Sequence, residues 1–157
     1  MEDLATLGDS VTLRQAVPAD LPAVVALLAA DQLGVHREAA DDLAPYRAAF
    51  DAIAADPAHL LLVADDGGGI VGTMQLSFIP GLARRGALRA QIEAVRVHAD
   101  VRSRGLGARM IGWAVDEARR RGCALVQLTT DKRRTDAYRF YERLGFVASH
   151  EGMKLVL

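Results

Sequence analysis

Val95-Arg96-Val97-His98-Ala99-Asp100-Val101-Arg102-Ser103-Arg104-Gly105-Leu106-Gly107-Ala108 runs an apolar strand pattern into a basic, glycine-broken loop that opens a helix. Such a junction suits phosphate. Amides in the first turn of a helix lack intrahelical acceptors and carry the positive end of its dipole, and Gly105 and Gly107 admit a ligand close to the backbone. The spacing Arg-x-x-Gly-x-Gly selects among phosphate loops. A dinucleotide fingerprint needs Gly where Met110 stands, and a Walker loop needs Gly-Lys-Ser/Thr, which the chain lacks.

Working outward, Thr12 to Val17 alternates as a first strand, and Asp20 is placed to cap an apolar helix over Leu21 to Ala30. Asp31 to Pro45 is irregular and charged, after which Tyr46 to Ile53 resumes a helical period before Pro57. Leu60 to Ala64 and Ile70 to Phe78 flank the turn signal Asp65-Asp66-Gly67-Gly68-Gly69, the mark of an antiparallel hairpin. A basic loop from Pro80 to Arg89 precedes a strand over Ala90 to Val97. Gly107 to Arg121 carries Ile111, Ala114, Val115 and Ala118 on one helical face, and Leu125 to Leu128 reads as a short strand. Thr135 or Asp136 can cap a helix over Tyr138 to Leu144, which Gly145 ends. Phe146 to Ala148 and Met153 to Leu157 then predict a closing hairpin.

The 157 residues fit one domain spanning 1–157, and 51% hydrophobic content supplies a single core. A formal net charge of −1 gives no global basic field, so neither DNA nor RNA is an expected partner. Arginine carries nearly all the positive charge, Lys132 and Lys154 being the only lysines. The single cysteine, Cys123, cannot form an internal disulfide, and four scattered histidines give no metal-ligand spacing. No stretch approaches the roughly 18 apolar residues that span a bilayer, and the acidic start Met1-Glu2-Asp3 is unlike a signal peptide. A cytoplasmic protein without membrane or metal is the expectation.

A second block, Asp136-Ala137-Tyr138-Arg139-Phe140-Tyr141-Glu142-Arg143-Leu144-Gly145-Phe146, follows about 30 residues after the first, a separation that allows one helix and one strand between them. Together, in this order, the two blocks resemble the GCN5-related N-acetyltransferase (GNAT) family. Its acetyl-CoA loop, Arg/Gln-x-x-Gly-x-Gly/Ala, is matched by Arg102, Gly105 and Gly107, and its second signature by the helix ending Phe-Tyr-Glu-x-Leu-Gly-Phe. The resemblance implies an α/β (α+β) fold with a mixed, mostly antiparallel, twisted sheet of six to seven strands. About four helices flank the sheet, which splays at the acetyl-CoA site. It implies acetyl-CoA as acetyl donor, with no metal, and acetyl transfer to a primary amine of a small molecule by direct attack in a ternary complex. Protein N-terminal or lysine acetylation is an alternative, as is a non-catalytic CoA-binding sensor or interaction module.

An amine of pKa near ~10.4 must lose a proton before it attacks a thioester, and the departing thiolate gains from an acid, so the site needs one base and one acid. The resemblance places Tyr141 beside the thioester sulfur as the acid, with packing of its helix on the sheet as the other role open to it. Tyr138, one turn earlier, is the fallback. Glu93 is the candidate base. It precedes Val95 and Val97 at strand period, so all three share a face unless a bulge intervenes; pairing with Arg96 or Arg89 is its alternative role. The resemblance further implies that the backbone of Val95, Arg96 and Val97 bonds the pantetheine arm. The amides of Ser103, Arg104, Gly105, Leu106, Gly107 and Ala108 would hold the pyrophosphate, with Arg102 and Arg104 as supporting charges. Arg134 stands where the family often has Asn, and Ala99 and Val101 replace a frequent Pro and aromatic residue. The Asp131 to Arg134 run could then meet the phosphate or pantetheine end instead. Acceptor recognition is expected in the segments from Asp31 to Pro45 and from Ile79 to Ala90. There Arg84, Arg85 and Arg89 could attract an anionic acceptor, and Asp41 and Asp42 a cationic one. Association into a homodimer through the C-terminal strands or helix faces is compatible with the sequence, which specifies no interface.

Overall fold

The computed structural model describes residues 3–8, 10–30, 38–102 and 104–157. Its centre is one six-stranded sheet in the order β1-β2-β3-β4-β5-β6. The strands are β1 (Asp3–Leu7), β2 (Val11–Gln15), β3 (His59–Asp65), β4 (Ile70–Pro80), β5 (Leu88–Val97) and β6 (Leu125–Leu128). Every neighbouring pair is antiparallel except β5 and β6, which run parallel. The helices are α1 (Leu21–Ala29), α2 (Ala44–Ala54), the one-turn α3 (Ala83–Gly86), α4 (Leu106–Arg120) and α5 (Thr135–Arg143). Among the described residues no helix is long and apolar enough to cross a membrane.

Helices cover both faces of the sheet. Leu13, Leu62, Met74, Leu76 and Ile92 form one core with Met110, Ile111, Ala114 and Ala118 of α4, all at most 2% exposed. The opposite face meets α1, whose buried Leu21, Val24, Val25 and Leu27 lie on the stripe that its apolar composition allows. The hairpin between β3 and β4 forms where Asp65-Asp66-Gly67 predicts it. Gly67 sits at φ 84°, its N–H donating to the Asp65 carboxylate at 2.9 Å, and Gly68 donates to Asp66 at 2.9 Å.

The structure differs from the sequence reading at the ends and at two caps. Asp3–Leu7 adds a strand ahead of the expected first one, pairing with β2. The closing hairpin is absent, since residues 146–157 hold no strand and most are exposed. The alternation is present there, but a strand must also find an edge, and on that side the sheet offers only the four-residue β6. Asp20 stands at the N-cap position of α1, as expected, but its side chain makes no hydrogen bond to the helix. It is buried and accepts from Arg14 at 2.7 and 3.0 Å and from the Val17 N–H at 2.8 Å, a stronger demand on a buried carboxylate than a helix amide. Neither Thr135 nor Asp136 caps α5, whose N-cap position is Arg134. Gly145 does end it, at φ 89°, with the Phe146 N–H returning to the Tyr141 carbonyl at 3.1 Å.

Candidate active site

The pairing of β5 with β6 covers only Arg89 to Ile92 against Leu125 to Leu128. Beyond Ile92, β5 continues to Val97 with β4 as its one strand partner among the described residues. The sheet therefore opens into a wedge between the C-terminal half of β5 and the chain leaving β6, and α4 begins at one side of it. This is the place in an open sheet where parallel strands part and a ligand can enter.

Gly105 carries the turn into α4 with φ 74° and ψ 5°, a conformation that a side chain disfavours. The Arg109 N–H is bonded to the Gly105 carbonyl at 3.1 Å, so the amides of Leu106, Gly107 and Ala108 precede the first intrahelical bond. Of the two loop arginines, Arg102 turns back, its Nε donating to the Val97 carbonyl at 3.1 Å and bracing the loop against β5, while Arg104 is exposed. Arg109, to which sequence reasoning gives no role, joins them: its guanidinium lies 3.2 Å from where a Cβ on Gly105 would stand and 3.4 Å from one on Gly8. Its position one helical turn after Gly105 is the signal that marks it. Ser103 lies outside the described residues, as do residues 31–37 of the variable segment that begins at Asp31, His36 among them.

Tyr141 closes the wedge from α5. Phe140 packs beside Gly107 and Val97, and the Tyr141 ring meets Phe140 and Phe146 edge-on at 5.1 and 5.8 Å. Its hydroxyl makes no hydrogen bond among the described residues. Burial pushes the phenol above its ordinary pKa, against the pull of the nearby Arg96 and Arg134 guanidiniums, so it is protonated through neutrality. Arg96 and Arg134, distant in sequence, are thus brought to one phenol. Arg96 also donates through Nη1 to the Val95 carbonyl at 2.9 Å. Tyr138, by contrast, is 42% exposed.

A bulge does intervene in β5, and it corrects the expected placement of Glu93. Thr73 pairs with Arg96 and Gln75 with Glu93, so Ala94 and Val95 together face Met74, with Ala94 at φ 54°. The extra residue reverses the side-chain alternation. Val95 and Val97 pack against the core under α4, whereas Glu93 shares the opposite, α1-side face with Arg96, Thr73 and Gln75. Glu93 is exposed rather than set among apolar neighbours. Along that same face, at strand period, stand Gln91 and Arg89, and Gln127 of β6 donates to Gln91 at 2.7 Å.

Two other side chains, His98 and Cys123, have structural surroundings. His98 accepts from the Asp100 N–H and starts the 3-10 turn Ala99–Val101. Burial pushes the Cys123 thiol upward, which keeps it protonated and unsuited to attack.

Comparison with known proteins fits this geometry. Residues 22–146 match the model of the Acetyltransferase (GNAT) family. The chain is 32% identical over 109 residues to aminoalkylphosphonate N-acetyltransferase of Salmonella typhimurium, covering 69% of this chain and 70% of that one. It is 35% identical over 113 residues to glucosamine 6-phosphate N-acetyltransferase 1 of Oryza sativa subsp. japonica, covering 70% and 67%. A solved structure described as a transcriptional regulator from Bacillus halodurans superposes with a TM-score of 0.91 at 47% identity, over 94% of this chain and 99% of that one. The chain therefore belongs to the GNAT family of N-acetyltransferases.

Proposed function

We propose that the protein transfers an acetyl group from acetyl-CoA to the primary amine of a small molecule, by direct attack within a ternary complex. The observation that carries this reading is Tyr141 on α5, packed against the core of the sheet and held protonated by burial against the pull of Arg96 and Arg134. The relatives named for aminoalkylphosphonate and glucosamine 6-phosphate acetylation support a small-molecule acceptor.

Acetyl-CoA supplies a thioester carbonyl and a thiolate leaving group. The residues present fit it: the amides of Leu106, Gly107 and Ala108 suit its pyrophosphate, with Arg102, Arg104 and Arg109 alongside, and the open edge of β5 from Val95 to Val97 suits the pantetheine arm. Glu93, directly or through water, takes one proton from the acceptor ammonium. The amine nitrogen then bonds the carbonyl carbon, the C–S bond breaks, and the nitrogen releases its second proton to solvent. Tyr141 donates its proton to the sulfur and is reprotonated from water. Arg96 and Arg134 stabilise the negative charge that develops beside the phenol.

The single, half-buried free thiol of Cys123 is consistent with a reducing cytoplasm. The open outer edge of β6 and the exposed apolar tail favour a homodimer. The name of the B. halodurans chain raises one other reading, a sensor that binds acetyl-CoA without turnover. Release of free CoA thiol, measured across amino acids, polyamines, aminoglycosides, amino sugars and short peptides, separates the two. Amine-dependent release is expected with small amines. Tight acetyl-CoA binding without release from any amine would establish the sensor.

A further inference from the structure

We propose that the cleft between the turn after β4 and the N-terminal ends of β5 and β6 is an anion subsite that holds a phosphate or phosphonate on the acceptor, with Arg89 as its principal ligand. The inference rests on the acetyl-transfer reading and assigns the other end of the same substrate.

The cleft measures about 510 Å³, and its polar lining is Arg84, Arg89, Gln127, Ser149 and His150, with no carboxylate among the residues that line it. Arg89 is half-buried, and its Nη1 lies 3.1 Å from where a Cβ on Gly81 would stand. Among the described residues the guanidiniums of Arg89 and Arg84 make no hydrogen bond or ion pair. Elsewhere in this chain partly covered guanidiniums meet acids, as Arg14 meets Asp20 and Asp65, and Arg121 meets Glu117. A half-buried guanidinium whose N–H donors have no protein acceptor leaves those donors open to an anion of matching geometry. The planar fork of arginine binds a tetrahedral oxyanion through two parallel N–H bonds, which an ammonium cannot do. Arg84 stands on the rim, on a turn in which Arg84, Arg85 and Gly86 all have positive φ, at 55°, 62° and 75°.

Register ties this cleft to the chemistry. Arg89, Gln91 and Glu93 lie opposite Ile79, Ser77 and Gln75, on one face of β5. At about 3.3 Å per residue, the Cα atoms of Arg89 and Glu93 are roughly 13 Å apart. The Gln91–Gln127 hydrogen bond forms a polar floor between them. An acceptor with its amine at Glu93 and its anion at Arg89 thus spans several bonds, the length of a sugar phosphate or an extended aminoalkyl phosphate.

The test compares aminoethyl, aminobutyl and aminohexyl phosphates with the amino alcohols of the same length, as kcat/KM in the wild type, Arg89→Gln and Arg84→Gln. The phosphate is expected to raise kcat/KM by at least about tenfold at one of the longer lengths. That ratio should fall towards one in Arg89→Gln and decrease in Arg84→Gln, which sits on the exposed turn and leaves the fold intact. A ratio near one at every length in the wild type, or a ratio in Arg89→Gln as large as that of the wild type, overturns the subsite while leaving acetyl transfer standing. If no amine is acetylated, the acetyl-transfer reading fails, and calorimetric titration of inorganic phosphate decides the subsite alone. Binding by the wild type that Arg89→Gln weakens supports it, and equal or undetectable binding in both overturns it.

Discussion

At the scale of single residues, the decisive feature is a phenol whose surroundings pull in two directions. Burial raises the Tyr141 pKa and Arg96 and Arg134 lower it, the first effect winning. The acid form is therefore populated across the neutral range, and the loss of acid catalysis on the alkaline side should fall above the ordinary tyrosine value of about 10. Tyr141→Phe keeps the ring contacts with Phe140 and Phe146 and removes only the hydroxyl. It should lower kcat by at least about tenfold, roughly 1.4 kcal/mol of barrier, with KM for acetyl-CoA little changed, as read by CoA thiol release. An undiminished kcat would leave Tyr141 a packing residue. Tyr141 was legible because a local motif marks it. The face of Glu93 was not, because it depends on Ala94 adopting φ 54°, and alanine carries no local signal for a left-handed bulge. For Arg96 the family resemblance implies only a backbone contact with the cofactor, and for Arg134 a place in a run that could meet it. Their common focus on one phenol is a product of the fold, which no spacing encodes.

At the scale of elements, two junctions hold the site in shape. The first joins β2, the turn before α1, and β3: Arg14 bonds Asp20 at 2.7 Å and Asp65 at 2.9 Å, with side-chain exposures of 7%, 10% and 28%. Burial pushes the Asp20 carboxyl up, but Arg14 and the Val17 amide outweigh it and hold the group below the usual carboxylate value. The Gly67 amide and Arg14 lower Asp65 likewise. Both folded-state pKa values lie below the unfolded value of about 3.9, so the contribution is complete above that pH and is lost as pH falls through the folded values. Asp20→Asn should lower stability by about 3 kcal/mol at pH 7, since it leaves Arg14 buried with a weakened partner. Urea unfolding at a series of pH values should show that deficit shrinking below about pH 4. The second junction is the crossing of β4 by α4, where Gly72 leaves room for Met110. A Cβ there would stand 3.0 Å from the Met110 Sδ, 3.3 Å from the Ala64 Cβ and 3.3 Å from the Arg96 carbonyl oxygen. Gly72→Ala should cost about 1–3 kcal/mol in denaturant unfolding. A change below 0.5 kcal/mol, the roughly neutral range for surface sites, would mean that the crossing is loosely packed. The elements themselves were readable because period, turn residues and Gly145 are local signals. The strand β1 was not, since Leu4-Ala5-Thr6-Leu7 lacks clean alternation and becomes a strand only by pairing with β2.

At the scale of the whole molecule, a sheet edge and an unpaired tail face the same unmet need. β6 bonds β5 on one side and no strand on the other among the described residues. Met153, Leu155 and Val156 are 96%, 87% and 93% exposed in a segment whose sequence alternates like a strand. Contiguous exposed apolar surface of that kind marks a contact, and an open edge accepts a strand. The short run from Gly145 to Gly152 separates tail from helix, so the tail of one copy can lie along β6 of another while the reciprocal pairing forms, a closed two-fold arrangement. Sedimentation equilibrium at micromolar concentration should give about twice the 16.8 kDa of one chain. Leu155→Asp should raise the dimer dissociation constant by at least about tenfold, because two buried leucines are lost per dimer at about 1.5–3 kcal/mol each. A wild-type mass of one chain, with slow amide exchange in residues 153–157, would place the tail on its own β6 instead. The cleft that holds Ser149 and His150 borders this segment, so the same variant reports on a functional link: if the tail fixes those two residues, loss of the dimer should raise KM for the acceptor more than KM for acetyl-CoA.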